Sequence, residues 1–281
     1  MKLIKRKNLF YLGHSFRKEK KVVYIEKYIG KEIPKNIEEI KQSFLRKCLQ
    51  EHVFKKLEKI RINFQKEWKK YPESIKKKII LDLSTGFTYN SNAIEGSTIT
   101  LNETEDLIKR KISPNKPITD VQETIRHSKV FFKIINKKQP LSLKMILEWH
   151  KELFEETKPD IAGRIRDYIV RVGGYIAPDW QDLKKLLKEF FKWYEQNKVL
   201  QPIELAARAH YKFEKIHPFG DGNGRIGRLV IAQILRNDHY PLLIIEYKKR
   251  KSYYHALSQD ENKFLNYFIR RYLSQYKRYL K

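Results

Sequence analysis

Residues 217–228 read HPFGDGNGRIGR and bring an imidazole, a carboxylate, an amide, two guanidinium groups and four glycines into one short stretch. Glycine is unfavourable inside regular elements and is used where a positive φ or a close backbone approach is needed. His217 can accept a proton from an attacking hydroxyl, and Asp221 can hold a divalent cation that bridges phosphates. Arg225 and Arg228 lie three residues apart on one side of a helix, where both can bind phosphate oxygens. This combination is typical of phosphoryl or nucleotidyl transfer.

Other glycine-rich motifs are excluded by the residues around them. The G-x-G-x-x-G spacing of residues 222–227 matches a dinucleotide-binding turn, but that turn follows a buried strand, whereas residues 204–216 have helical spacing. Asp221 and Asn223 match the start of a calcium loop, but Arg225 occupies the fifth position, which needs an oxygen ligand. No G-x-x-x-x-G-K-[ST] phosphate loop occurs in the chain. A tight turn between two helices would explain the glycines but not the charged groups.

The stretch resembles the signature of the Fic family, H-x-F-x-[DE]-G-N-G-R-x-x-R. All of its fixed positions are filled, by His217, Phe219, Asp221, Gly222, Asn223, Gly224, Arg225 and Arg228. The resemblance covers roughly residues 75–260. It implies a mainly helical fold and protein adenylylation, in which AMP passes from ATP to a Ser, Thr or Tyr hydroxyl of a target protein.

The resemblance also implies a role for each residue of the signature. His217 would be the general base, and Asp221 would hold Mg²⁺ (or Mn²⁺) against the α- and β-phosphates of ATP. The backbone amides of Gly222 to Gly224, with Asn223, would form an anion hole. Arg225 would contact the outer phosphates and Arg228 the γ-phosphate.

A second motif of the same family, [ST]-x-x-x-E-[GN], matches the sequence from Ser91 through Glu95 to Gly96. A helix that ends at a glycine explains the same residues, and the two interpretations are compatible. By resemblance, Glu95 would form a bidentate bridge to Arg228 and withhold it from ATP, as in the family's class with an N-terminal inhibitory helix. In some relatives an equivalent glutamate aligns water for the removal of AMP from the target. The direction of the reaction therefore stays open.

Residues 163–178, GRIRDYIVRVGGYIAP, resemble the flap of the family. An exposed strand there would pair with the backbone of the target protein, and Arg166, Val170 and Gly174 are the candidate contacts. An ordinary edge hairpin is the alternative interpretation.

The stretch SYYHALSQDEN resembles the segment that closes over adenine in the family, with Tyr254 as the candidate contact. Glu261 stands where the family often has Asn, and Asn262 is one residue beyond. Two histidines outside the signature, His150 and His210, are expected to be packed structural residues.

The predicted fold is mainly α, a Fic-type helical bundle with a β-hairpin flap, preceded by an N-terminal β-hairpin and a long helix. The apolar and polar patterns predict a hairpin over residues 8–30 with a charged turn at 17–21, a helix over about 40–68 and a helix over about 74–95. Capping boxes are predicted at Thr100–Glu103 and Thr119–Gln122, and further helices are predicted to start at Ser142 and Pro202.

Pro72 separates the two predicted domains. Residues 1–72 form a basic N-terminal extension, and residues 73–281 form the catalytic domain, which includes the inhibitory helix at about 74–96. The family resemblance does not extend over the first part, whose role in target recruitment, homodimer formation or nucleic-acid contact is left open.

The composition indicates the cell compartment and bears on whether nucleic acid or a membrane is a partner. The 281 residues carry a formal net charge of +27, but the lysines are spread along the chain, which favours a generally basic surface over a nucleic-acid partner. A nucleic-acid-associated binding protein with an inactive core is the rival hypothesis, and the completeness of the signature opposes it. The single cysteine, Cys48, and the lack of an apolar run of 18 residues predict a cytoplasmic protein without a membrane partner.

Overall fold

The computed structural model of this protein describes residues 1–18, 21–172 and 174–281. Two predicted turns fall partly outside the described residues, namely the charged turn at 17–21, which includes residues 19 and 20, and the flap turn at Gly173. The chain divides into two compact units, residues 1–62 with 278–281 and residues 63–277. The functional boundary after residue 72 stays a prediction.

The first unit contains a three-stranded antiparallel sheet in the order β1-β2-β3, formed by β1 (Lys2–Arg6), β2 (Leu9–Lys18) and β3 (Lys21–Gly30). Strands β2 and β3 are the predicted hairpin, and β1 is an additional strand. The sequence KLIKR of β1 has two adjacent apolar residues between charged ones and therefore lacks the alternation by which strands are recognised.

One face of this sheet packs on the helix α1 (Ile37–Leu49). Leu12 of β2 lies against Phe44 and Cys48 of α1, and isoleucines of β3 and α1 surround them. Cys48 is buried. A π-helical segment, Gln50–Phe54, joins α1 to α2 (Lys55–Lys70), so the predicted long helix is interrupted by a wider turn.

The second unit contains the helices α3 (Glu73–Ile94), α4 (Leu101–Glu105), α5 (Ile118–Asn136), α6 (Leu143–Phe154), α7 (Leu183–Gln196), α8 (Pro202–Ile216), α9 (Asn223–Asn237), α10 (Arg250–Ser258) and α11 (Glu261–Gln275). A two-stranded hairpin, β4 (Arg171–Val172) and β5 (Tyr175–Ile176), lies between α6 and α7. None of the described helices is long and apolar enough to cross a membrane.

The helix starts follow the predicted caps with one exception. Thr100 and Glu103 form the predicted capping box, and Ser142 accepts a hydrogen bond from the N–H of Met145 at the start of α6. The capping box at Thr119 is wrong, because α5 begins earlier, directly after Pro117, and has no side-chain cap. Thr119 therefore lies inside the first turn of α5, where its hydroxyl is not a cap.

Helix α9 is the centre of the second unit. Its residues from Ile226 to Leu235 are all buried, which is typical of a helix that is surrounded by neighbours. Helices α3, α5, α6 and α8 all contact it. Gly227 allows the close contact with α8, since a Cβ there would lie 2.5 Å from a carboxylate oxygen of Glu214. This packing fixes the loop that connects α8 to α9.

Candidate active site

The loop between α8 and α9 begins and ends with a residue in the left-handed conformation. His217 terminates α8 with φ of 52°, and Gly222 precedes α9 with φ of 78°. Glycine is needed at 222 for a second reason, because a Cβ there would lie 2.3 Å from a ring carbon of Phe154. These two left-handed residues bring the His217 side chain and the start of α9 to opposite ends of one short loop.

The His217 imidazole has one nitrogen available as a base. Its Nδ1 lies 3.3 Å from the carbonyl oxygen of Glu214. A carbonyl oxygen only accepts, so Nδ1 carries the proton and the unprotonated nitrogen is Nε2. Burial lowers the pKa of His217, which favours the neutral, proton-accepting form at neutral pH.

Asn223 holds the loop in shape. Its Oδ1 accepts the N–H of Phe219 at 2.9 Å, and its Nδ2 donates to the carbonyl of Phe219 at 2.8 Å. Both ends of the amide thus form hydrogen bonds inside the loop. The place of Asn223 in the anion hole stays a prediction. The first intrahelical bond of α9 runs from Ile226 N to Gly222 O, which leaves the N–H groups of residues 223–225 at the helix start for an anion.

His150 on α6 also supports this loop. Its Nδ1 accepts the N–H of Gly163 at 2.9 Å, so its Nε2 carries the proton and donates to the carbonyl of Asp221 at 3.0 Å. The ring stacks on Phe219 with 3.9 Å between ring centroids. His150 is structural, as predicted, but the sequence around it did not indicate that its partner would be the loop between α8 and α9.

Four charged side chains meet beside the loop. Asp221 Oδ2 lies 2.6 Å from Lys158 Nζ and 3.4 Å from Arg225 Nη2. Glu123 of α5 pairs with Arg225 and lies 3.0 Å from Lys158 Nζ. Glu123 and Lys158 were missed by sequence reasoning, because they belong to no local motif and only the packing of α5 and α6 against α9 brings them to Asp221. Arg225, predicted at the outer phosphates, lies buried in this cluster.

Arg228 is bound to the end of α3. Its Nη2 lies 2.7 Å from Glu95 Oε1 and 2.9 Å from the carbonyl of Ser91, and its Nε donates to Ser91 Oγ at 2.9 Å. The ion pair therefore uses one nitrogen, and the predicted bidentate bridge is wrong, since Nη1 has no hydrogen-bond partner among the described residues. Although burial opposes the charge, Glu95 holds the pKa of Arg228 above its ordinary value. Gly96, with φ of 99°, ends the helix.

The Glu95 carboxylate lies at the start of α9 as well as on Arg228. Its Oε1 is 2.2 Å from the position that a Cβ of Gly224 would occupy. A side chain at position 224 would therefore displace the Glu95 carboxylate from its present position. Glu95 thus reaches the same helix start whose backbone N–H groups are the predicted anion site.

The flap residues differ in their exposure. Arg166 is only 4% exposed and donates to the carbonyls of His217 at 2.9 Å, Tyr168 at 2.7 Å and Pro178 at 2.7 Å. Its predicted contact with a target is therefore wrong, because its three guanidinium nitrogens bind these carbonyls and connect the base of the hairpin to the loop between α8 and α9. Val170 is half-buried and Gly174 is exposed, so their predicted contacts remain predictions.

The predicted adenine segment lies on α10 and α11. The Tyr254 hydroxyl donates to the carbonyl of Ile94 at 3.3 Å, which places it beside the end of α3. Glu261 lies 2.8 Å from Arg208 Nη1, and Asn262 accepts from Arg208 Nη2 at 3.3 Å. Both residues near the family's Asn position are thus engaged with α8, and the adenine contact of Tyr254 stays a prediction.

The donor set fits a divalent cation that is held partly by a substrate. Among the residues that the structure describes, no group of three or more His, Cys, Asp or Glu side chains is arranged as a metal site. Asp221 offers one half-exposed carboxylate next to the anion site. One or two protein carboxylates with phosphate oxygens are a usual set for Mg²⁺. The residues present are therefore compatible with the predicted metal.

Two buried histidines make the stability of the protein dependent on pH. Burial lowers the pKa of His150 to about 4 and that of His210 to about 3, below the ordinary value of 6.5. The unfolded chain therefore binds more protons below pH 6.5, and each histidine is expected to remove about 1.4 kcal/mol of unfolding free energy per pH unit as the pH falls below that value. Urea unfolding at pH 7, 6 and 5 measures this slope.

Matched variants isolate the histidine contribution. His210→Phe is expected to reduce the slope, because the residue lies among Tyr253 and Phe264 and the new ring cannot titrate. The exposed His255→Gln serves as the control. An unchanged slope in His210→Phe would show that the buried imidazole does not contribute.

Comparison with known proteins finds the family that the sequence resembles. Residues 140–235 match the family described as Fic/DOC. A protein of Nematostella vectensis named Protein adenylyltransferase Fic is 36% identical over 189 residues, which are 65% of this chain and 44% of that protein. The Drosophila melanogaster protein of the same name is 35% identical over 188 residues, 65% of this chain and 38% of that protein. The chain thus spans less than half the length of these curated relatives.

A solved structure of Fic-1 from C. elegans superposes with a TM-score of 0.68 at 26% identity, covering 87% of this chain and 73% of that one. A Fic domain structure from Bacteroides thetaiotaomicron superposes with a TM-score of 0.69 at 24% identity, covering 79% and 96%. The predicted fold class, a mainly helical bundle with small antiparallel sheets, is confirmed.

Proposed function

Because residues 140–235 match the Fic/DOC family, we propose that this chain is a protein adenylyltransferase that moves AMP from ATP to a Ser, Thr or Tyr hydroxyl of a target protein. The observation that carries the proposal is the arrangement of one loop. The unprotonated nitrogen of His217, the Asp221 carboxylate and the free N–H groups at the start of α9 all belong to residues 217–225.

The reaction follows from these groups. His217 accepts the proton of the target hydroxyl through Nε2, the hydroxyl oxygen forms a bond to the α-phosphorus of ATP, and the bond from that phosphorus to the bridging oxygen of pyrophosphate breaks. The N–H groups of residues 223–225 and the dipole of α9 stabilise the negative charge on the phosphates. Asp221 would hold Mg²⁺ or Mn²⁺, which neutralises phosphate charge when bound.

Autoinhibition by Glu95 is part of the proposal. Its carboxylate pairs with Arg228 and lies against Gly224, which is where the outer phosphates of ATP would approach the start of α9. A carboxylate there repels phosphate and occupies one of the arginine nitrogens. ATP would then bind with its α-phosphorus out of line for attack, and small misplacements of reacting atoms reduce rates strongly.

The proposal also includes a docking surface for the target, a contact for adenine and a cell compartment. A target would dock along the flap at Val170 and Gly174, Tyr254 would contact the adenine, and the basic residues 1–72 would lie outside the catalytic domain. The exposed Ile169 and Ile176 support docking on the flap, since they are 62% and 57% exposed. We propose the cytoplasm as the site of action, in keeping with the single cysteine.

Two preparations of ATP, one with radioactive phosphorus in the α-phosphate and one with it in the γ-phosphate, distinguish AMP transfer from phosphoryl transfer. With the purified Glu95→Gly protein, label at the α-phosphate should be retained on the protein by self-labelling, and label at the γ-phosphate should not. Retention of the γ-label would indicate phosphoryl transfer instead, and retention of neither label would contradict nucleotide transfer by this chain.

A further inference from the structure

The ammonium group of Lys158 lies on the carboxylate that is expected to bind the metal. Its Nζ is 2.6 Å from Asp221 Oδ2, the shortest contact that the Asp221 carboxylate makes with a charged side chain among the described residues. We propose that Lys158 competes with the divalent cation for Asp221 and thereby sets how tightly the site holds its metal. The inference rests on the proposed function for the identity of the metal ligand.

Lys158 is held in place by its main chain and by a second acid. Its N–H donates to the carbonyl of Phe154 at 2.8 Å, which fixes the residue just beyond the end of α6. Its Nζ also lies 3.0 Å from Glu123 Oε1 and 4.9 Å from the centroid of the Phe154 ring. The ammonium group therefore bridges two carboxylates, Asp221 on the loop and Glu123 on α5.

This double contact allows an exchange of cations at Asp221. A divalent cation and an ammonium group repel each other when both lie on one carboxylate oxygen. When a divalent cation binds at Asp221, Lys158 can leave Oδ2 and keep its contact with Glu123. The exchange thus breaks one ion pair and does not leave an unpaired charge.

Arg225 also contacts Asp221 but is not suited to this exchange. Its side chain is 5% exposed, its guanidinium carbon lies 4.6 Å from the centroid of the Phe154 ring, and its Nη1 is paired with Glu123. The Lys158 side chain is 36% exposed and has a flexible four-carbon stem. The Lys158 ammonium group is therefore the one that can move off Asp221, whereas the buried Arg225 guanidinium group stays in place.

The effect of the competition is moderate because the groups are partly solvated. The Asp221 side chain is 44% exposed, so water weakens its interaction with Lys158. Removal of the ammonium charge is expected to tighten the binding of a divalent cation by about 3- to 10-fold. A variant that keeps a positive charge at position 158 should not show this gain.

Titration of the full chain with Mn²⁺ alone, followed by the electron paramagnetic resonance signal of free Mn²⁺, measures this affinity without nucleotide or turnover. Lys158→Gln should bind Mn²⁺ about 3- to 10-fold tighter than the original chain. Lys158→Arg should bind like the original chain, because it restores the charge. Lys144→Gln is the matched control, since the Lys144 side chain is 87% exposed on α6.

Three results would overturn the proposal. They are unchanged or weaker Mn²⁺ binding by Lys158→Gln, a gain in Lys158→Arg equal to that of Lys158→Gln, and Mn²⁺ binding that survives in Asp221→Asn. Circular dichroism of each variant verifies the fold. The ATP labelling experiment reports separately on AMP transfer, so a failure of the proposed reaction and a failure of the cation competition are distinguishable.

Discussion

Replacement of His217 by alanine is expected to reduce AMP transfer by about 10²- to 10⁴-fold, the range that general base catalysis supplies. The reason is that His217 Nε2 is the unprotonated nitrogen, since Nδ1 is bound to the carbonyl of Glu214. The rate should be measured as self-labelling in the Glu95→Gly background, where inhibition is removed. His52→Ala, in the π-helical segment of the first unit, is the control and should retain the rate.

A second substitution separates catalysis from folding at this position. His217 has φ of 52°, a conformation that alanine adopts at a cost of roughly 1–2 kcal/mol. Asparagine is enriched in this conformation and has no basic nitrogen, so His217→Asn should preserve the loop and still lose transfer. Near-normal labelling by a folded His217→Asn would exclude His217 as the base.

Replacement of Glu95 by glycine is expected to increase self-labelling by about 10- to 100-fold. This corresponds to the loss of a hydrogen bond between charged groups, about 1.5–3 kcal/mol. The substitution removes the carboxylate from Arg228 Nη2 and from the space beside Gly224. Arg228 keeps its two contacts with Ser91, and under the proposal it would then be available to the γ-phosphate.

Controls for this prediction test both the charge and the position of Glu95. Glu95→Gln keeps the size of the side chain and removes its charge, so its rate should be intermediate. Glu73→Gly changes an exposed glutamate at the other end of α3 and should not activate. Equal labelling by the original chain and Glu95→Gly would contradict the inhibition, and faster loss of AMP from a labelled target in the original chain would indicate the reverse reaction.

The sequence was most informative where a local motif determines the geometry. The left-handed Gly222 and the end of α3 at Gly96 follow from glycine spacing, and Ser91 and Glu95 do converge on Arg228. Convergence of residues that far apart could be predicted only because a family motif linked them. The periodic pattern of apolar residues alone contains no such information.

The site residues that the sequence did not predict are brought together only by the packing of helices. Glu123, Lys158 and His150 lie beside the loop between α8 and α9 because α5 and α6 both contact α9. Their residue types are common on helix surfaces and in cores, so neither composition nor spacing distinguishes them. Arg166 was assigned to the wrong role for a similar reason, since only the fold shows that its guanidinium binds three carbonyls under the flap.

The most direct test of the central claim is the intact mass of three proteins after incubation with ATP and Mg²⁺. The account predicts that Glu95→Gly gains the mass of an AMP group, that the original chain gains little, and that Glu95→Gly with His217→Asn gains none. Equal AMP incorporation by all three proteins, or none by Glu95→Gly, would contradict a transfer reaction that depends on His217 and is restrained by Glu95.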